Sequence, residues 1–319
     1  MSSALLLFVY ALCVAWWAPV PLRRLTVSGV SPRLGLTAWL IAMASVLVSA
    51  GVALTLVTRA AIAGWSGLAE VVCRSFAGHT CAANVYQNAV FEFSLGVIAL
   101  VAVLAAAAAA WRYGRNVQRA QRRTRAHAEV ARITGRELPG TGALVLDSAQ
   151  PVAYCLAGRP ATIVLTTGAV ALLDPPQLAA VLAHERAHLA GRHHQLIALT
   201  RGLGAVFPAV PLFAAGEPNV TRLAEMCADD TAARRSGRSA LITALLAMAT
   251  GAAVPASTAL PVTALPVTAL GATACAVTAR LQRLAEAPSG ARHARYALAL
   301  AGVMTALALA PALLATLTG

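Results

Sequence analysis

Four apolar runs, at residues 3–22, 34–57, 89–111 and 296–317, constrain this chain more than any other feature. Each is close to the roughly 20 residues a helix needs to cross a bilayer, where only a helix or a closed barrel satisfies its own backbone hydrogen bonds. The composition agrees: 59% of the 319 residues are hydrophobic and 12% charged, about half the charged fraction of a soluble protein. The first run has no basic residue before it and no small-residue cleavage site, so it reads as an uncleaved span rather than a signal peptide. The expected fold class is a mainly α integral membrane protein with about four transmembrane helices and a cytoplasmic α+β domain carrying a small β-sheet.

Orientation follows from arginine, which supplies all 25 basic residues against 12 acidic ones, for a net charge of +13. Arg23, Arg24 and Arg33 lie between the first two spans. Arg112, Arg115, Arg119, Arg122, Arg123, Arg125, Arg132 and Arg136 follow the third. Both groups belong on the cytoplasmic side by the positive-inside rule, which places the N-terminus outside. The loop between spans two and three is then external, where Cys73 and Cys81 are close enough in sequence for a disulfide. Cys13, Cys155, Cys227 and Cys275 should stay reduced. The arginine run lacks interleaved aromatics and follows a span directly, so it suits a helix on anionic membrane lipids and no direct nucleic-acid contact is expected.

Three regions result: residues 1–111 with three spans, 112–294 as one cytoplasmic domain, and 295–319 as a last span. The domain opens with helical sequence to about Thr134. Short strands follow at 143–146, 152–156 and 162–167. The last of these, Ile163, Val164, Leu165, Thr166 and Thr167, precedes the key helix and is expected to offer a free edge to an extended peptide substrate. Residues 196–215 are nearly long enough for another span, but Pro208 and Pro211 interrupt them, so a bent or re-entrant helix at the membrane face is expected. Helices are expected over 240–253 and 278–286. Ala-Leu-Pro-Val-Thr occurs twice in succession from Ala259 to Thr268, a local duplication whose prolines forbid a regular helix.

The chemistry concentrates at His184-Glu185-Arg186-Ala187-His188. Asp174 can cap the helix that carries it and Pro175 suits its first turn. Histidines four apart project from one side of a helix, as two ligands of a tetrahedral zinc require, with Glu185 beside the water-occupied position. Glu225 and Asp229, one turn apart on a later helix, supply the rest. Glu225 is the third ligand, and Asp229 accepts an N–H from a ligand imidazole and fixes its orientation. One Zn2+ per chain is expected. Cys227 is a competing ligand, and His193 and His194 bond elsewhere or face the membrane surface. In a peptidase, Glu185 takes the proton of the attacking water and returns it to the leaving amine. The oxyanion partner stays open among His193, His194, Arg234, Arg235 and His293.

His184 and His188 with Glu225 and Asp229 are similar to the gluzincin membrane metallopeptidases that include HtpX and the CAAX prenyl proteases. The fuller run Ile163-Val164-Leu165-Thr166-Thr167-Gly168, then Val181-Leu182-Ala183-His184-Glu185-Arg186-Ala187-His188, looks more like the BlaR/MecR-type antirepressor peptidases. Three spans, a zinc domain and a fourth span match that arrangement. The resemblance implies a zinc endopeptidase of the bacterial plasma membrane that cleaves a cytoplasmic or membrane-associated protein. That protein would be a transcriptional repressor of the BlaI winged-helix type, in a cell-wall-stress or antibiotic response. The beta-lactam sensors carry a penicillin-binding domain after the last span, and this sequence does not, so direct beta-lactam sensing is not expected. HtpX-like quality control of membrane proteins and a weakly catalytic zinc-binding signalling module are the alternatives.

Overall fold

A computed structural model describes residues 2–76, 83–156, 158, 160–252, 272–286 and 290–316. The expected Cys73–Cys81 bridge and the repeated pentapeptide fall outside the described residues and side chains.

The chain begins with α1 (Ser2–Trp17) and α2 (Pro19–Thr26), bent by 45° at their junction. Two long helices follow, α3 (Pro32–Phe76) and α4 (Ala83–Thr134), and α11 (Gly290–Thr316) closes the chain. Three stretches are long and apolar enough to cross a membrane: Pro32–Ala63, Val90–Thr134 and His293–Thr316. A fourth span exists only if the bent α1–α2 pair is one crossing. No break separates the third apolar run from the arginine-rich segment after it, because α4 runs through both. Its last turns join the next domain. Ala128 and Ala131 are buried against Leu156 and Val164, and Arg132 donates to the Pro160 carbonyl at 2.6 Å.

A four-stranded sheet comes next: β1 (Arg136–Leu138), β2 (Ala143–Leu146), β3 (Ala153–Leu156) and β4 (Thr162–Thr166), in the order β1-β2-β4-β3. β4 pairs in parallel with β2 on one side and antiparallel with β3 on the other. This corrects the expected substrate edge at Ile163–Thr167. Ile163, Val164, Leu165 and Thr166 lie in an interior strand whose ladder groups are already paired, and Thr167 starts the short helix α5 (Thr167–Leu172). The physical reason is burial on both faces. All five β4 residues are buried, as in a central strand rather than a half-solvated edge. Val164 and Leu165 are fully buried, each worth about 1.5–3 kcal/mol of apolar burial. The edge beside the next helix belongs to β3.

The helices α6 (Pro175–Ala190), α7 (His193–Val206), α8 (Pro211–Ser236), α9 (Arg238–Thr250) and α10 (Ala272–Ala285) complete the described elements. The expected bent segment at 196–215 is a hairpin of α7 and the start of α8. Its corner falls at 207–210, where Pro208 cannot continue a hydrogen-bonded helix. The hairpin is not a separate layer. Leu203, Leu212, Phe213 and Leu223 share one core with Trp39 and Met43 of α3 and Ala11 and Val14 of α1. Arg222 of α8 donates to the carbonyls of Thr26 and Val27 at 3.0 and 3.1 Å, fastening the first interhelical turn to the helix that carries Glu225.

Candidate metal centre

α6 starts where the sequence places its cap. Asp174 Oδ1 accepts from Gln177 N at 2.9 Å, and Gln177 Oε1 accepts from Asp174 N at 3.1 Å. This reciprocal pair satisfies two of the N–H groups that a helix start leaves open. The middle of the helix is then buried nearly all round, through Ala180, Val181, Leu182, Ala183, His184, Glu185 and Ala187. Between Ala180 and Ala187 only Arg186 is exposed, and its guanidinium donates to the Thr141 carbonyl at 2.7 Å.

α8 packs against α6 and brings Glu225 to the two histidines. His184 Nε2 and His188 Nε2 are 3.0 Å apart. Glu225 Oε2 lies 3.5 Å from the first and Oε1 3.4 Å from the second. A tetrahedral ion at about 2.0–2.1 Å from each donor asks for donor–donor separations of about 3.3–3.4 Å. The triangle fits zinc within a few tenths of an ångström, and His184, His188 and Glu225 form the metal-capable group among the described residues. The sequence-derived ligand set is therefore assembled in space. Cys227 is not in that group. It lies two positions along α8 from Glu225, on another face of the helix.

Behind the triangle, Asp229 is fully buried, and its Oδ1 lies 3.2 Å from His184 Nδ1. This is a charge-assisted contact, and Nδ1 has no other partner among the described residues. A buried imidazole nitrogen pointed at a carboxylate is the brace that a metal-bound histidine uses. His188 is braced from the other direction, its Nδ1 3.1 Å from His193 Nδ1. The turn that returns His193 to this position needs Arg192 at φ 49°. It is the only non-glycine residue with positive φ among the described residues, a conformation costing about 1–2 kcal/mol.

Arg280 of α10 is the site residue that sequence reasoning missed. Its Nε donates to Asp229 Oδ2 at 2.8 Å and its Nη2 to Oδ1 at 2.6 Å. Its Nη1 sits 3.0 Å from Glu225 Oε2. One guanidinium thus spans both acids. None of the expected oxyanion candidates is placed so. His193 sits behind His188, and Arg234 donates to Thr231 Oγ1. His293 faces Ser31 Oγ at 3.3 Å, and Arg235 lines a cavity on another face of α8.

The electrostatics follow from burial and from these pairs. Burial alone would raise both acids, but the hydrogen bonds and charges of His184 and Arg280 hold Glu225 and Asp229 down at about 2. Burial lowers His188 to about 4. His184 goes the other way, to about 9, because the facing carboxylates outweigh its own desolvation. At Glu185 burial outweighs the opposing charges of His184 and Arg280 and lifts the carboxyl above its ordinary range, toward the poise of a general base. Cys155 of β3 lies against it, and its thiol is pushed up to about 12 by burial and by the Glu185 charge. Strand β3 therefore runs beside the base, with one edge bonded to β4 and the other unpaired among the described strands.

Comparison with known proteins agrees with this geometry. Residues 117–264 match the family model of Peptidase family M48, a stretch that includes His184, Glu185, His188, Glu225 and Asp229. The match supports a zinc-dependent metallopeptidase of the membrane type. No solved structure matches the chain.

Proposed function

We propose that the protein is a membrane zinc endopeptidase whose ligands are His184, His188 and Glu225 and whose general base is Glu185. The observation that carries this reading is the ligand triangle of 3.0–3.5 Å edges, set inside the stretch that matches a metallopeptidase family. Bound there, zinc would supply a water of lowered pKa and a Lewis acid for the scissile carbonyl.

The chain's own residues do the rest. Glu185, held neutral more readily than a solvated acid, accepts the proton of the attacking water and passes it to the leaving amine. Asp229 keeps the His184 ring turned so that Nε2 faces the ligand centre, and His193 does the same for His188. Arg280 holds Glu225 and Asp229 ionised. As the one guanidinium at the ligand triangle among the described residues, it also balances charge on the reacting carbonyl oxygen. The substrate is an extended segment laid along the unpaired edge of Ala153–Leu156. Main-chain hydrogen bonds hold it there, independently of sequence.

The zinc domain is assigned to the cytoplasm. Arg23, Arg24, Arg33 and the arginine-rich half of α4 all lie toward the end of the helices that meets α8 and the sheet, which the positive-inside rule places within the cell. The substrate we propose is a repressor of the BlaI winged-helix type in a cell-wall-stress or antibiotic response, supported by the likeness of Ile163–Gly168 and Val181–His188 to the antirepressor peptidases. Membrane-protein quality control is the second reading. It is favoured by the shared core of α7 and α8 with α1 and α3, which holds the site close to the bilayer.

Protein termini compared between cells carrying the wild type and Glu185→Gln test both. One repressor accumulating uncut in the variant supports the first, many membrane proteins accumulating support the second, and identical termini remove the peptidase reading.

A further inference from the structure

A largely apolar cavity with two arginines at its walls lies beside His193, the residue that touches His188. It measures about 440 Å3 and is walled by the first turns of α3, the end of α6, the start of α7 and the outer part of α8. That volume lies within the range of small-ligand sites. Its α8 wall is the row Cys227, Thr231 and Arg235, on a different face of the helix from Glu225 and Asp229. The cavity is therefore not part of the ligand triangle.

Its charge is one-sided. Arg33 and Arg235 both line it and no carboxylate does. Neither guanidinium has a hydrogen bond or ion pair with another described residue. By contrast Arg222, Arg280 and Arg283, which belong to the same junction, are all engaged. Arg33 on the α3 wall and Arg235 on the α8 wall thus both offer free donors to an anion in the cavity. The planar fork of arginine matches phosphate oxygens two at a time. Arg33 also stands in the first turn of the 45-residue α3, whose leading N–H groups add partial positive charge.

The location narrows the ligand. Arg33 begins the span Pro32–Ala63, so the cavity opens where that span meets the membrane surface, the level of lipid headgroups. Leu36 and Leu196 supply apolar wall beside the cations, as a phosphate ester on a glycerol backbone would use. His193 forms the inner wall. It is 7% exposed, and its Nδ1 reaches His188 Nδ1 at 3.1 Å. An occupant of the cavity is thus one side chain away from a zinc ligand.

We propose that this cavity binds a phosphate group through Arg33 and Arg235, presented by an anionic phospholipid headgroup or as free phosphate. The full chain in phosphatidylcholine nanodiscs containing some phosphatidylglycerol tests the lipid source, with phosphatidylglycerol retained through purification counted by native mass spectrometry. Arg33→Ala with Arg235→Ala should cut retention by at least about tenfold, the loss of roughly one charge-assisted contact. Arg33→Lys with Arg235→Lys should keep most of it. Arg238→Ala, at an exposed position of α9 outside the cavity lining, should leave it unchanged.

Thr231→Glu, which places an acid on the wall without removing either arginine, should reproduce the loss and serves if the double-alanine chain folds poorly. A second arm titrates inorganic phosphate into chain held in phosphatidylcholine alone, read by phosphorus NMR line width. Loss of lipid retention in the pocket variants assigns the headgroup, and loss of saturable phosphate broadening alone assigns free phosphate. If both readouts are unchanged in the pocket variants, or if Arg238→Ala lowers retention as much as they do, the proposal is overturned.

Discussion

Arg280 and Asp229 meet in a two-pronged ion pair behind His184, with contacts of 2.8 and 2.6 Å and the carboxylate fully buried. Removing one partner of a buried pair leaves the other uncompensated, at about 3–5 kcal/mol. Arg280→Ala should lower stability by that order and weaken zinc retention about 10–100-fold, as loss of an outer brace does. Arg280→Lys should recover only part, since an ammonium cannot span Asp229 and Glu225 together. Thermal melting and zinc content after dialysis against a chelator measure both effects.

Zinc uptake should release a proton at neutral pH. His184 without metal is held protonated up to about 9, while His188 at about 4 is already neutral. A ligand imidazole must be deprotonated, so His184 alone sets the competition. Zinc affinity should rise about tenfold per pH unit below pH 9 and flatten above it. Calorimetric titration in buffers of different ionisation enthalpy should give close to one proton released per zinc at pH 7.

Cys155 and Cys227 should resist alkylation in the folded chain. Burial pushes their thiols up, to about 12 and about 11, so little thiolate exists at pH 8, and the thiolate is the nucleophile. Labelling of both should increase only when pH approaches those values or the domain unfolds, as peptide mass spectrometry would record.

Gly168 separates the sheet from the HExxH helix. A Cβ there would press into the Ala149 backbone, which cannot swing aside as a side-chain tip can. Gly168→Ala should cost about 1–3 kcal/mol, the range for overpacking a tight site. The melting midpoint should fall without loss of the ligand triangle, which zinc content would report.

The metal ligands were legible because each lies in a local pattern. His184 and His188 are one turn apart, Glu225 and Asp229 likewise, and Asp174 with Gln177 marks the helix start. Arg280 was not legible. It is 51 residues from Asp229, and one arginine among 25 carries no periodicity. The interior place of β4 had a readable signal, since Thr-Ile-Val-Leu-Thr is a continuous rather than alternating run, the mark of a strand covered on both faces. Which strand takes the edge depends on pairing between segments, and a five-residue run does not encode it. The span count depends on the junction at Trp17–Pro19. There a proline bends the helix, and hydropathy averaged over the run does not register the bend.

The most direct test of the account is cleavage by the full chain in lipid nanodiscs with zinc, comparing wild type with Glu185→Gln on an unstructured protein substrate. The substitution keeps size and leaves His184, His188 and Glu225 in place, so zinc content should stay unchanged. Cleavage should fall by at least about 100-fold, the lower end of a general base's contribution. Equal cleavage by the two proteins at equal zinc content would contradict the assignment of Glu185 as the base and, with it, the reading of this centre as a peptidase.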